Sequence, residues 1–361
     1  RAGYLPSVSA GAGYRRAAGA YGASTGLAGV NDFSLGVTAR WVATDLIWVP
    51  DEVRAAEASA AAAVAGGALT LRRIRLEVIV AYDALWGARR VAALLRETLA
   101  AAEHHREYAA VRGEVGLGAP ADVARAEVEI ADARLAIAAA DAEVETARAR
   151  LVRAIGLPVG TTIDIPDDEP EAGPVPPPLA EVPDRPELAV LEREAEAARA
   201  RAESLEAGYW PQVTVSASGG VEDDDFFPTR PVWAVGVAVD VPLLSWAATA
   251  PAVDAAEARA ARLEAQIAAA RDDLVLEVQA AWHALREALA RLEACGPLLA
   301  SAAENLRVAE GRYREGAGSM IELVDARNAV QRAQITRVAA VRDVAIAAAR
   351  YRYAAGEEPW P

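Results

Sequence analysis

The chain has 361 residues, 25% of them charged and only three of them Phe, an Ala-rich composition that suits long helices better than thick globular cores. Its net charge of -15 leaves no basic face to release counterions, so nucleic acid held through its phosphates is excluded as a partner. No run reaches about eighteen uninterrupted apolar residues, and Glu57 breaks even the Ala-rich stretch at 55–71. A membrane, if crossed, would therefore be crossed by strands.

The first elements are strand-like. Residues 7–14 set Ser7, Ser9, Gly11 and Gly13 against Val8, Ala10, Ala12 and Tyr14, and residues 34–41 set Ser34, Gly36, Thr38 and Arg40 against Leu35, Val37, Ala39 and Trp41. Strands are expected over about 4–15 and 33–44. From about 52 the apolar positions Leu71, Ile74, Val78, Ala81, Leu85, Ala88, Ala92, Leu95, Leu99 and Ala102 step by three and four, which is a coiled-coil seam. A turn at Gly116-Leu117-Gly118-Ala119-Pro120 reverses it, closing a helical hairpin over about 52–155. A helix from about 52 to 115 would reach on the order of 95 Å, too long for a compact domain. A Pro-rich, acidic segment at 156–186 reads as a loop or belt, and a shorter helix from about 186 to 207 follows it.

The same order then recurs 200 residues later. Gly36-Val37 returns as Gly236-Val237, Leu76-Glu77-Val78 as Leu276-Glu277-Val278, Arg112 as Arg312, and Gly116-x-Gly118 as Gly316-x-Gly318. Strands are expected over about 209–220 and 232–243, and a second hairpin over about 252–355 with its seam through Leu274, Val278, Leu285, Leu292 and Cys295. Cys295, the single cysteine, reads as a small apolar seam residue. The domain division is then 1–200 and 201–361, a mainly α fold with a small β portion. In the second half Tyr209-Trp210-Pro211 follows a helix, whereas the matching Tyr4-Leu5-Pro6 opens the first half. A leading helix of at least about twenty residues, preceded by an export signal, is expected upstream of Arg1.

Aromatic residues gather at the strand ends: Tyr4, Tyr14, Tyr21, Trp41, Trp48, Tyr209, Trp210, Trp233 and Trp246. Belts of this kind border an apolar band at a membrane interface. Four strands cannot close, and an open edge in lipid would leave backbone groups unpaired at several kcal/mol each. Three copies would supply a twelve-stranded barrel continued by a helical tube. The alternative is a soluble periplasmic or cytosolic coiled-coil scaffold or adaptor without a channel, its strands forming an ordinary sandwich edge.

The chain resembles the TolC-like outer-membrane efflux proteins along essentially its whole length. The specific marks are the Tyr-x-Pro lead-in to each odd strand, the Gly-x-Gly tips, Asp184-Arg185-Pro186-Glu187-Leu188, and Ile321-Glu322-Leu323-Val324-Asp325-Ala326. The resemblance implies a homotrimeric duct through outer-membrane lipid, docked to a periplasmic adaptor (a membrane fusion protein) and an inner-membrane RND pump or ABC transporter. It implies no catalysis and no cofactor. It also implies a gate: Glu322 and Asp325 stand where the family carries a ring of acids, and Asp122 and Tyr313 match an aspartate and a tyrosine that link the closed hairpins. Gly318 stands where the family has the third partner, an arginine, leaving Arg312 or Arg314 as substitutes. The same two acids would also complement the macrodipole at a helix N-terminus. The tip glycines Gly116, Gly118, Gly316 and Gly318 are small enough for an adaptor to approach the backbone.

Other constellations are poor. His104 and His105 are adjacent and lack a second ligand at helical spacing, so no metal site is expected. His283 beside Trp282 reads as a helix-face residue, and Gly11-x-Gly13 has no following helix to make a dinucleotide site. Arg40 and Asp240 occupy equivalent inward strand positions and would line a barrel lumen, or form a surface ion pair.

Overall fold

Alternating apolar and small or polar residues make a ribbon with two unlike faces, and here four such ribbons join edge to edge. A computed structural model describes residues 5–17, 30–114, 120–158, 160–170, 185–244 and 246–358. The strands are β1 (Ser7–Ala17), β2 (Val30–Val42), β3 (Gln212–Asp223) and β4 (Arg230–Asp240). The helices are α1 (Asp45–Glu114), α2 (Pro120–Ala154), α3 (Pro186–Glu206), α4 (Trp246–Arg314) and α5 (Met320–Ala354). They fall into two compact units, one of residues 1–66 and 187–269 that holds the sheet, and one of 67–186 and 270–361 that is helical.

In the first unit the sheet runs β1-β2-β3-β4, antiparallel throughout. The β2–β3 pairing joins the two halves of the sequence, with Arg40 opposite Ser216 and Gly36 opposite Gly220. Opposed residues share a face. One face therefore carries Ser7, Arg40, Ser216 and Gly236 in one row and Ser9, Thr38, Ser218 and Ala234 in the next. The other carries Val8, Ala39, Ala217 and Val235, then Ala10, Val37, Gly219 and Trp233. Gly220 is demanded by close approach, since a Cβ there would lie 2.3 Å from the Leu35 carbonyl oxygen and 2.7 Å from the Gly36 Cα. Beside the sheet, α3 packs Ala195 and Ala198 against Ala260 and Leu263 of α4.

The helical unit buries the seam that the sequence announces, though not all of it. On α1, Ala81, Leu85, Ala92, Leu95 and Ala102 are buried, while Leu71 and Ile74 are 50% and 44% exposed. The seam thus starts lower on the helix than its periodicity suggests. Leu85, Trp86, Ala147, Leu151, Ile165, Val338 and Val341 form one core across α1, α2, α5 and the segment after α2. Val278, Leu285, Val344 and Tyr351 form a second between α4 and α5, and Cys295 is buried on the same helix face. The segment after α2 is pinned by Arg89, whose Nη1 donates to Asp164 Oδ1 (2.6 Å) and to the Ile165 carbonyl (2.9 Å), and by Arg337, which pairs with Glu169 at 2.7 Å.

α1 begins at Asp45, seven residues before the expected start at 52, and runs through Pro50. Pro50 is the sixth residue of the helix, where it forfeits the bond to the Leu46 carbonyl and crowds that oxygen with its ring, a cost confined to the helix's first two turns. The strands likewise sit a few residues from their expected bounds, β1 reaching Ala17 and β4 ending at Asp240. α2, α4 and α5 share one terminator, a left-handed glycine. Gly156, Gly316 and Gly356 have φ of 75°, 74° and 79°, and in each case the next amide bonds back to a carbonyl five residues earlier.

Candidate functional site

The second hairpin tip is built by its own backbone chemistry. α4 ends at Arg314, the Ala317 and Gly318 amides both bond to the Arg312 carbonyl (2.8 and 2.9 Å), and Ser319 caps α5 by accepting from the Glu322 amide at 3.3 Å. The tight reversal leaves no space at Gly318. A Cβ there would meet Arg312 Cβ at 3.0 Å and the Tyr313 nitrogen at 3.1 Å, so the position expected to be bare is packed against its own helix. Gly316 is open, with nothing within 4 Å of its Cβ direction, but its positive φ reserves it for glycine. Gly116 and Gly118, with the first tip, lie outside the described residues.

Tyr313 is the anchor of this tip. It is 6% exposed and packs with Ala126, Ala309, Met320, Leu323 and Ala326. Burial pushes its phenol pKa up, and the negative charge of Asp122, in the first turn of α2, pushes it further the same way. The structure therefore brings together the two residues assigned to the link, Asp122 and Tyr313. The cation beside them is Arg112, from α1: its guanidinium lies 5.1 Å from the Tyr313 ring centroid and its Nη1 donates to the Tyr313 carbonyl at 3.0 Å. Neither proposed substitute fills that place. Arg312 pairs with Glu322 at 3.3 Å and Arg314 with Glu310 at 3.4 Å. In the sequence Arg112 was visible only as the repeat partner of Arg312, and nothing marked it as the residue that crosses between helices.

Glu322 sits in the first turn of α5, half-exposed and held by Arg312, and Asp325 follows three residues later. That places both acids on one side of the helix. His104 is exposed, 4.0 Å from Glu107, and among the described residues no group of three His, Cys, Asp or Glu is arranged to hold a metal ion.

The sheet surface is the second candidate site. Arg40 and Asp240 fall on the same face, the small and polar one, two rows apart, with the Val42–Thr214–Ala238 row between them. The opposite face is bare: Val8, Leu35, Val37, Trp233, Val235, Val237 and Val239 are between 49% and 82% exposed. Aromatic side chains bracket it. At one end Tyr14 meets Phe33 (4.8 Å between centroids), Phe33 meets Phe226 (5.5 Å), and Phe226 meets Phe227 (5.0 Å); at the other, Trp48 stacks on Trp210 at 6.1 Å. Phe226 and Phe227 were missed because they lie in a turn, outside the alternating pattern. Tyr4 and Tyr21 lie outside the described residues. No described helix is long and apolar enough to cross a membrane.

A short antiparallel sheet with one bare apolar face, joined in one chain to long paired helices that end in tight glycine turns, is an architecture that this chain shares with solved outer-membrane channels. The chain belongs to the outer membrane efflux protein family, whose profile matches residues 1–157 and 183–357. It is 24% identical over 281 residues to the outer membrane efflux protein BepC of Brucella suis biovar 1 (strain 1330), a match that covers 75% of this chain and 60% of that protein. Among solved structures, the outer-membrane channel OprN superposes with a TM-score of 0.88 at 21% identity, over 100% of this chain and 83% of the other. VceC of Vibrio cholerae gives 0.85 at 18% identity (99% and 88%), and the open state of the MtrE channel of Neisseria gonorrhoeae 0.81 at 22% (99% and 82%). These likenesses establish the fold.

Proposed function

We propose that this chain is one protomer of an outer-membrane export duct, a homotrimer whose twelve strands close a barrel in the lipid and whose helices continue it as a tube in the periplasm. The carrying observation is the sheet: its apolar face is exposed between two aromatic clusters, and β1 and β4 each keep one edge that no described strand pairs. In water such a surface invites aggregation, and in lipid an open edge costs several kcal/mol per unpaired group. Copies of the same sheet remove both problems. Val-rich positions then face lipid, with Arg40 and Asp240 on the lumen side.

The tube end formed by the hairpin tips is read as the gate, with Asp122 and Tyr313 holding neighbouring helices and Glu322 and Asp325 contributing a ring of carboxylates. A periplasmic adaptor would meet the tips, and an inner-membrane pump of the RND or ABC type would supply the cargo. Membership in the efflux family and the likeness to BepC, itself an outer membrane efflux protein, support this assignment. Membrane fractionation tests it. The protein should stay with outer membranes through high-salt and carbonate washes and leave only with detergent; release by carbonate would make it a soluble or peripheral scaffold instead.

A further inference from the structure

Just above the second tip, four charged or titratable side chains converge, one from each long helix: His105 (α1), Glu129 (α2), Glu310 (α4) and Arg327 (α5). Arg327 is stretched between partners, its Nη2 reaching Glu310 at 3.4 Å and its Nη1 reaching the Ala101 carbonyl at 3.5 Å. Glu310 is shared, since Arg314 also reaches it at 3.4 Å. Arg327 Nε and His105 Nδ1 are both buried with no hydrogen-bond partner. Beside them, Glu129 and Arg327 line a cavity of about 660 Å³ between α1, α2 and α5, so the helices already stand apart on that side. A half-buried polar cluster satisfied this incompletely is held by packing more than by its own bonds.

We infer that this cluster is an acid-sensitive latch, in which proton uptake by His105 on local opening releases α1 from α4 and α5 above the tips. The charges facing His105 are Arg327 on α5, Glu310 and Arg314 on α4, and His104 on its own helix, while Glu129 faces Arg327 from α2. Burial above all, with Arg327, His104 and Arg314 adding to it and Glu310 opposing, pulls the His105 pKa down to about 4. Opening to water restores the ordinary value of 6.5, so the open form binds a proton that the closed form refuses. Between pH 7 and pH 5 that difference raises the opening equilibrium roughly twentyfold. Glu129 works the other way: burial raises its pKa, so it gives up a proton on opening, which opposes the effect of acid.

The latch does not depend on the chain being a duct, and its test needs no transport. Hydrogen exchange of the purified full chain, read by mass spectrometry over 100–110 and 305–330 and corrected for intrinsic exchange rates, should show opening rising roughly tenfold or more from pH 7 to pH 5. In His105→Gln, which keeps the size and cannot take the proton, the rise should vanish; in Glu129→Gln it should grow. No rise in the wild type, or an equal rise in His105→Gln, overturns the inference. If His105→Gln fails to fold, the titration of the His105 ring in the wild type, followed by NMR, decides: a midpoint well below the ordinary 6.5 supports the latch, and one at 6.5 overturns it.

Discussion

Arg112 of α1 lies over the ring of Tyr313 of α4, 5.1 Å from its centroid, and donates to the Tyr313 carbonyl at 3.0 Å, so one guanidinium holds both the side chain and the backbone of the second hairpin's last turn. A cation over an aromatic ring contributes about 0.5–1 kcal/mol at a partly exposed site, and a hydrogen bond from a charged group about 1.5–3 kcal/mol. Arg112→Ala should thus destabilise the tip by about 2 kcal/mol, read as faster exchange of amides at 311–318, whereas Arg112→Lys should recover only part of it because an ammonium cannot stack on the ring as a planar guanidinium does.

Tyr313→Phe isolates the phenol. If the hydroxyl meets Asp122, as their electrostatic coupling suggests, its removal costs about 1.5–3 kcal/mol per link and raises the conductance of reconstituted protein. Unchanged conductance together with unchanged tip exchange would confine Tyr313 to packing.

The acids give a sharper electrical prediction. With Glu322 and Asp325 as a constricting ring, the closed channel prefers cations and is plugged by a multivalent cation; replacing both with Ala removes selectivity and block together. Because Glu322 is ion-paired to Arg312 and follows the Ser319 cap, the same variant should also lose a few tenths of a kcal/mol of helix stability. Equal selectivity and equal block in both proteins would leave the acids with that structural role alone.

Asp83, on α1, is 5% exposed, and burial pushes its carboxyl up to about 6 from 3.8. The folded form therefore holds this proton more tightly than the unfolded chain, so the Asp83 contribution to stability is fullest at acid pH and is lost as pH rises from about 4 through 6. Some two pKa units correspond to about 3 kcal/mol at pH 8. Asp83→Asn should flatten that slope and raise the unfolding midpoint at pH 8, while leaving it nearly unchanged at pH 4; thermal melts followed by circular dichroism at the two pH values check it.

Gly220→Ala should be costly for a purely steric reason, since its Cβ would strike the β2 backbone at Leu35 and Gly36. Strand separation of this kind costs about 1–3 kcal/mol. Gly11→Ala is the control, with nothing within 4 Å of its Cβ direction, and should leave the melting temperature nearly unaltered.

Much of this architecture was legible because it rests on period. Alternation at Ser34–Trp41 and Trp233–Val241 marked strands, and three–four spacing at Leu85, Ala92 and Leu95 marked a buried seam. The glycine turn at 316 announced a helix end because only glycine takes its positive φ cheaply, whereas the same terminator at 156 and 356 emerged from the structure. What period cannot carry was missed. The exposure of Leu71 and Ile74 depends on which helices pack there, the start of α1 before Pro50 on a local tolerance, and the Arg112–Tyr313 contact on a separation of 201 residues. The assignment of Asp122 and Tyr313 to a gate came from resemblance alone and stands as a proposal, while the crowding at Gly318 emerged only from the turn's own geometry.

If the sheet is one third of a closed barrel, its two free edges must meet across protomers, and cross-linking them is the decisive experiment. In a chain carrying Cys295→Ala, single cysteines at Val8, Ala10 or Ala12 of β1 should be combined with single cysteines at Val235 or Val237 of β4 and oxidised in outer membranes. A disulfide requires Cβ atoms about 3.5–4.5 Å apart, so only strands paired in register will cross-link. Particular pairs should give covalent trimers and nothing larger, because the ring closes at three. Monomers in every combination, or ladders running past the trimer, would refute the closed barrel.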